Sequence, residues 1–223
     1  MDIVSDLKNQ KHEHKGSALK ELFYASERKI GNLFFKAYPP SRPHPRLLNL
    51  GCGPLKYKGW INADEFAFKR RLIENTFKPD WSLDITSSCR CHDNYFDGIF
   101  TQHVLEHVSY SDAVHVLSEC FRTLRPHCWI RIIVPSLDRF IDTDFQAREV
   151  SPSFPNKALA VSCLTQMHGH KSTWDNLLLE AVLIGIGFES VNNVSFGKGS
   201  DARLLMDQIV KKPQSLYFEA MKP

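Results

Sequence analysis

The sequence predicts an α/β domain: a mostly parallel, seven-stranded sheet with helices on both faces, preceded by an N-terminal helix. Three observations predict it. Short apolar runs recur from residue 46 onward, separated first by loops and then by helical patterns. The first run, Leu47-Leu48-Asn49-Leu50, ends in Gly51-Cys52-Gly53, and Asp64 closes the second run, Trp60-Ile61-Asn62-Ala63. A third run, Trp129–Val134, is apolar throughout except for Arg131, as expected of a strand buried on both faces.

The elements follow in chain order. Residues 1–45 read as a polar tail, a helix and a Pro-rich linker, and residues 46–223 as the α/β domain. Ser17 caps a predicted helix to about Ala37, whose Leu19, Leu22, Phe23, Ile30, Leu33 and Phe34 form one stripe. This helix offers a homodimer contact. Pro39-Pro40 stops it, and the segment to Pro45 is a stiff linker. Strands are expected at Arg46–Leu50, Trp60–Ala63, Trp81–Ile85, Phe96–Thr101 and Trp129–Val134. The connection between the first two is too short for an ordinary crossover helix, so a shortened helix or single turn is expected near Leu55–Lys58. A helix over Ser111–Leu124 ends at Pro126. Further helices are expected over Ser136–Glu149, over Asn156–Met167, and from a capping box at Ser172-Thr173-Trp174-Asp175 to about Ile184. Gly185 and Gly187 close the last helix. Two late strands, Phe188–Val194 and Ser215–Ala220, form a hairpin around the 195–214 loop.

Composition narrows the function classes. A chain of 223 residues with 43% hydrophobic and 24% charged residues is an ordinary globular protein. A net charge of +3 does not argue for nucleic acid, which calls for a clustered basic face. The nine Lys/Arg against five Asp/Glu in residues 1–46 read as a solvated helix face. No apolar run is long enough for a membrane span, and the N-terminus lacks a signal-peptide pattern, so the expected location is cytoplasmic. The six cysteines are scattered and read as reduced thiols.

The glycine loop and the following acid point to an adenosine-type ligand. Glycines let backbone approach the ligand, and a carboxylate accepts hydrogen bonds from ribose hydroxyls. The loop is not a dinucleotide fingerprint. It lacks the third glycine of G-x-G-x-x-G, and Asp64 follows Gly53 by 11 residues where about 20 are usual.

The set Leu48-Asn49-Leu50-Gly51-Cys52-Gly53-Pro54, Gly59-Trp60-Ile61-Asn62-Ala63-Asp64, Asp84-Ile85, Tyr95-Phe96-Asp97-Gly98-Ile99-Phe100, His103-Val104-Leu105-Glu106-His107-Val108, Leu124-Arg125-Pro126 and Arg131-Ile132-Ile133-Val134-Pro135 resembles class I S-adenosylmethionine-dependent methyltransferases. It is most similar to a small bacterial branch with a shortened first crossover and the Rossmann-like fold. The resemblance covers residues 46–140 best. It implies S-adenosyl-L-methionine as cofactor, with Gly51, Cys52 and Gly53 near its methionine part, Asp64 on the ribose, Asp84 and Ile85 on adenine, and Gln102 and His103 beside the methionine moiety. Asn49 stands where the family often has Asp at the cofactor's amino group. Ser136 replaces an Asp, with Asp138 two residues on. The branch implies a sugar or other small-molecule acceptor, methylated on oxygen. His107, Asp138 and His170 are the candidate bases.

Other readings attach to the same residues. His103-Val104-Leu105-Glu106-His107 fits H-x-x-E-H, a zinc-hydrolase pattern, but such a pattern belongs inside a helix and here follows a strand. Cys89-x-Cys91-His92 lacks the spacing and the second pair of a metal site. No metal is therefore expected. A non-catalytic S-adenosylmethionine-binding regulator is the alternative to an enzyme, since Asn49 and Ser136 depart from the family pattern. His168-Gly169-His170 also reads as a surface loop, Asp138 as a first-turn helix acid, and Trp174 as core.

Overall fold

The computed structural model describes residues 4–5, 38–65, 78–142, 156–166 and 168–223. The predicted helix over 17–37, its proposed dimer contact and the second half of the predicted 136–149 helix lie outside the described residues. Seven strands form one sheet: β1 (Leu47–Leu50), β2 (Ile61–Asp64), β3 (Trp81–Ser82), β4 (Gly98–Gln102), β5 (Trp129–Pro135), β6 (Glu189–Val194) and β7 (Ser215–Met221), in the order β3-β2-β1-β4-β5-β7-β6. The first five strands are parallel. β7 runs antiparallel to both β5 and β6. All four residues of β1, and all of β5 after Trp129, are buried, which explains why both read as apolar runs.

Four α-helices of the described residues are α1 (Tyr110–Thr123), α2 (Leu137–Ile141), α3 (Lys157–Gln166) and α4 (Asn176–Ile186). Ser109 caps α1 by accepting from Asp112 N. Its buried Ala113, Val114, Val116, Leu117 and Cys120 follow helical spacing and join the main core. Trp174 is fully buried there too. Gly187, at φ 112°, closes α4 in the left-handed conformation that favours glycine. The cap at the start of α4 differs from the expected one. Asp175 accepts from Leu178 N, whereas the Ser172 hydroxyl donates to Leu105 O. Ser172 is thus a tether between two loops.

Of the shortened helix or single turn expected near Leu55–Lys58, the connection from β1 to β2 contains no helix, only turns closed by Leu55 N to Cys52 O and Trp60 N to Tyr57 O. Two buried asparagines replace it. Asn49 Nδ2 donates to Leu55 O at 2.8 Å and to Asn62 Oδ1 at 3.1 Å. Asn62 accepts from Tyr57 N at 2.8 Å and donates to Tyr57 O at 3.1 Å and to Asp80 Oδ2 at 2.7 Å. These side chains satisfy backbone groups that a helix would have satisfied internally. β3 is also shorter than expected, because the Asp84 carboxylate draws the chain into a turn by accepting from Thr86 N and Thr86 Oγ1.

A second core, with Leu47, Trp60, Phe100, Ile133, Leu204 and Tyr217, lies under the 195–214 loop. Arg131 anchors that loop from the middle of β5. Its guanidinium donates to both Asp207 oxygens, Nε at 2.6 Å and Nη2 at 2.5 Å, with both side chains 2% exposed. All six cysteines are free, as expected. Among the described residues, no helix is long and apolar enough to cross a membrane.

Candidate active site

The sheet order places the site. The chain steps outward from β1 to β2 and β3, then returns to lay β4 on the other side of β1. Loops leaving the carboxyl ends of β1 and β4 therefore diverge and open a crevice. A cavity of about 480 Å³ occupies it, lined among others by Gly51, Gly53, Asp64, Asp84, Ile85 and His103. Six of the nine residues expected at the cofactor thus share one cleft.

The glycine loop offers this cleft surface, because its amides are spent inside the protein. Gly51 N and Cys52 N both donate to Ala63 O, and Gly53 N donates to Asp64 Oδ2 at 2.7 Å. Gly51 and Gly53 have φ of 69° and 49°. A Cβ on Gly51 would meet Val104 Cγ2 at 2.1 Å, whereas one on Gly53 would meet nothing within 4 Å. The first glycine admits the neighbouring loop, and the second keeps the floor of the cleft low.

Three expected cofactor residues are not among those lining the cleft. Asn49 is buried and holds the crossover. Gln102 accepts from Gln208 N at 3.2 Å and so ties down the late loop. The Cys52 side chain is buried, and burial followed by the Asp64 charge pushes its thiol up to about 12. It is inert as a nucleophile near neutral pH.

A second cavity, of about 470 Å³, adjoins the first. Its walls include Glu106, Phe140, Cys163, Leu164 and His170, and it shares His103, His107 and His168 with the cofactor-side cleft. The Leu105–His107 turn carries Glu106 and His107, and the 168–172 loop carries His170. Hydrogen bonds fasten the two segments. Lys171 N and Ser172 N donate to Glu106 O, Ser172 Oγ to Leu105 O, and Trp174 Nε1 to Ser172 Oγ. As a result the His107 and His170 rings stand 5.0 Å apart, edge to face.

Proton positions follow from the partners. Ser215 Oγ donates to Lys211 O at 2.7 Å, so it accepts from His103 Nε2 at 2.8 Å. The other nitrogen of His103, Nδ1, stands 3.2 Å from Glu106 Oε1. His170 Nδ1 donates to Leu164 O, which leaves Nε2 with the lone pair. Burial, the largest influence, lowers the His170 pKa below its ordinary value. His103 (φ 54°) and His168 (φ 62°) both adopt left-handed backbone, a cost of roughly 1–3 kcal/mol each that clusters at functional sites.

Asp138 is not brought to this cluster. It is exposed in the first turn of α2 and lines a separate cavity of about 520 Å³ with Ser136, Asn176 and Lys212. Ser136 caps α2 by accepting from Arg139 N, and α2 contributes Phe140, not Asp138, to the cavity of the histidines. Glu106 was legible in the sequence only as part of the H-x-x-E-H pattern. That pattern occupies a short turn here, and the third group beside Glu106 and His107 is His170, 63 residues on.

Comparison with known proteins agrees with this architecture. Residues 67–132 match the family model of a methyltransferase domain, a segment that begins after the glycine loop. No curated protein matches the chain. A SAM-dependent methyltransferase from Archaeoglobus fulgidus superposes with a TM-score of 0.52 at 22% identity, covering 91% of this chain and 94% of that one. A SAM-dependent methyltransferase from Thermotoga maritima, described as a possible histamine N-methyltransferase, gives 0.52 at 15% identity over 91% and 90%. An S-adenosylmethionine-dependent methyltransferase from Mesorhizobium loti gives 0.51 at 15% identity over 82% and 93%. At these identities the structures share the fold.

Proposed function

We propose that the chain is a class I S-adenosylmethionine-dependent methyltransferase and that it methylates an oxygen of a sugar or another small hydroxylated molecule. The observation that carries this reading is the pair of adjoining cavities sharing three histidines. In this reading the donor occupies the cleft over Gly51 and Gly53, and the acceptor occupies the cavity lined by Glu106, His107 and His170.

The donor cleft fits S-adenosylmethionine. The cofactor has no pyrophosphate, so a loop whose amides are already bonded is no handicap. Asp64 accepts from Gly53 N and Glu65 N and lines the cleft, where its carboxylate would meet the ribose diol. Ile85 and the Asp84 turn would flank adenine, and His103 the methionine moiety. When bound, the cofactor supplies a methyl group on a positively charged sulfur.

The chain then has two tasks: to align the acceptor oxygen and to take its proton. His170 suits the second. Its Nε2 lone pair is fixed by the Leu164 bond, and burial keeps the ring neutral. His107, at the junction of both cavities, positions the acceptor oxygen. The His103–Ser215 hydrogen bond ties the end of β4 to the start of β7.

Incubation with S-adenosylmethionine and a panel of sugars, phenols and amines tests the reading, with S-adenosylhomocysteine release as readout. Turnover with a hydroxylated acceptor is expected, and His170→Ala should lower kcat about 10²-fold or more. Turnover confined to amines, or undiminished in His170→Ala and His107→Ala, would refute the assignment. Cofactor binding without conversion across the whole panel would favour the regulatory alternative.

A further inference from the structure

Glu106 is unusual among the buried groups. It is 1% exposed, yet neither carboxylate oxygen accepts a hydrogen bond among the described residues. A buried carboxylate left in this condition is costly unless a cation or donor completes it. His103 Nδ1 at 3.2 Å and His107 Nε2 at 4.0 Å both approach Oε1, without hydrogen-bond geometry. One ligand atom each from Glu106, His107 and His170 lie within 4.8 Å of one another.

We propose that Glu106, His107 and His170 bind one divalent transition-metal cation in the acceptor cavity. Two imidazoles and a carboxylate are a ligand set suited to zinc and its first-row neighbours, and three protein ligands leave a coordination position for an acceptor oxygen. Tetrahedral zinc ligands at roughly 2.0–2.1 Å stand about 3.4 Å apart. The 4.0 Å gap between His107 Nε2 and Glu106 Oε1 therefore closes with a small side-chain movement. The backing of the ligands is already in place. His170 donates its second nitrogen to Leu164 O, the carbonyl contact that orients metal-bound histidines. The Glu106 carbonyl receives Lys171 N and Ser172 N, which fixes the 168–172 loop against the Leu105–His107 turn.

The site differs from the H-x-x-E-H reading, because His170 replaces His103, whose Nε2 is committed to Ser215. The cation's use rests on the acceptor reading, since it would polarise an acceptor hydroxyl where His170 would otherwise take the proton. Its binding does not depend on that reading. Proton and metal compete for the same lone pairs, so affinity should rise from pH 5.5 to pH 7.5.

Calorimetric titration of the full chain with zinc, after chelator treatment, tests this. The background is a His12→Ala/His14→Ala variant, which removes two further histidines, one residue apart, as competing zinc ligands. One saturable site is expected, weakened at least about tenfold in Glu106→Gln and in His170→Ala and unchanged in His92→Ala. Thermal melts report whether each variant is folded. In the unsubstituted cluster, cobalt should selectively broaden the imidazole resonances of His107 and His170, leaving exposed His92 sharp. Absence of saturable binding, or binding that persists in both ligand variants with His107 and His170 unbroadened, would overturn the proposal. Because neither measurement contains cofactor or acceptor, its failure leaves the methyltransferase reading standing.

Discussion

Val104 decides what residue 51 can be. Any Cβ at Gly51 falls 2.1 Å from its Cγ2, on a stiff β-branched side chain, and the φ of 69° adds strain. Gly51→Ala should therefore lower the melting temperature and weaken S-adenosylmethionine binding about tenfold or more, measured by thermal melt and calorimetry. Gly53→Ala has open space and suffers only from its φ of 49°, so it should fold better than Gly51→Ala. At the same scale, burial depresses the folded pKa of His170 relative to an ordinary 6.5. Its neutral form therefore stabilises the fold above the unfolded value, and that contribution is lost as pH falls through the lower folded value. An NMR titration should show His170 titrating below 6.5, and the acid limb of kcat/KM should disappear in His170→Ala. The sequence marked Gly51, Asp64, His107 and His170 as candidates, by the glycine loop and the acid after it and by the family resemblance. It did not reveal that His170 meets Glu106, because the Ser172–Leu105 tether that joins them spans 67 residues. Asp138 follows β5 as the sequence suggested, but it lines a different cavity from the one that holds the histidines.

At the scale of elements, the crossover from β1 to β2 depends on side chains where most such crossovers depend on a helix. Asn62 is 2% exposed and satisfies Tyr57 from both sides while bonding Asn49 and Asp80. Asn62→Ala leaves several buried groups unpaired, at about 1–3 kcal/mol each before relaxation. A stability loss of about 2 kcal/mol or more is expected in urea unfolding, together with weaker cofactor binding through Asp64. Strands were legible because their apolar runs are continuous. The missing helix was foreshadowed only by the shortness of the connection, and the asparagines that replace it gave no periodic signal. The Arg131–Asp207 pair was equally silent. Arg131 stood out as an oddity in an apolar strand, but its partner lies 76 residues away in an irregular loop. Asp207→Ala strands a buried guanidinium and should cost about 3–5 kcal/mol, whereas replacing both partners with apolar residues should recover much of the loss.

For the whole molecule, the return of the chain from β3 to β4 creates the crevice, and the cofactor-side cleft and its neighbouring cavity meet across His103, His107 and His168. A transferase that must exclude water and align two molecules needs such a junction. The parallel order and the antiparallel β7 are set by a few apolar runs, so they could be read from residues alone. The cavity lined by Glu106, His107 and His170 depends on how α2, α3 and the 168–172 loop come together, and no single segment encodes that meeting.

Calorimetric titration with S-adenosylmethionine tests the central claim most directly. The account predicts one site per chain in the unsubstituted protein, weakened about tenfold or more in Asp64→Ala, whose carboxylate faces the cleft beside Gly53, and unaffected by Asp138→Ala in the separate cavity. Absence of binding, or binding indifferent to Asp64→Ala, would contradict it.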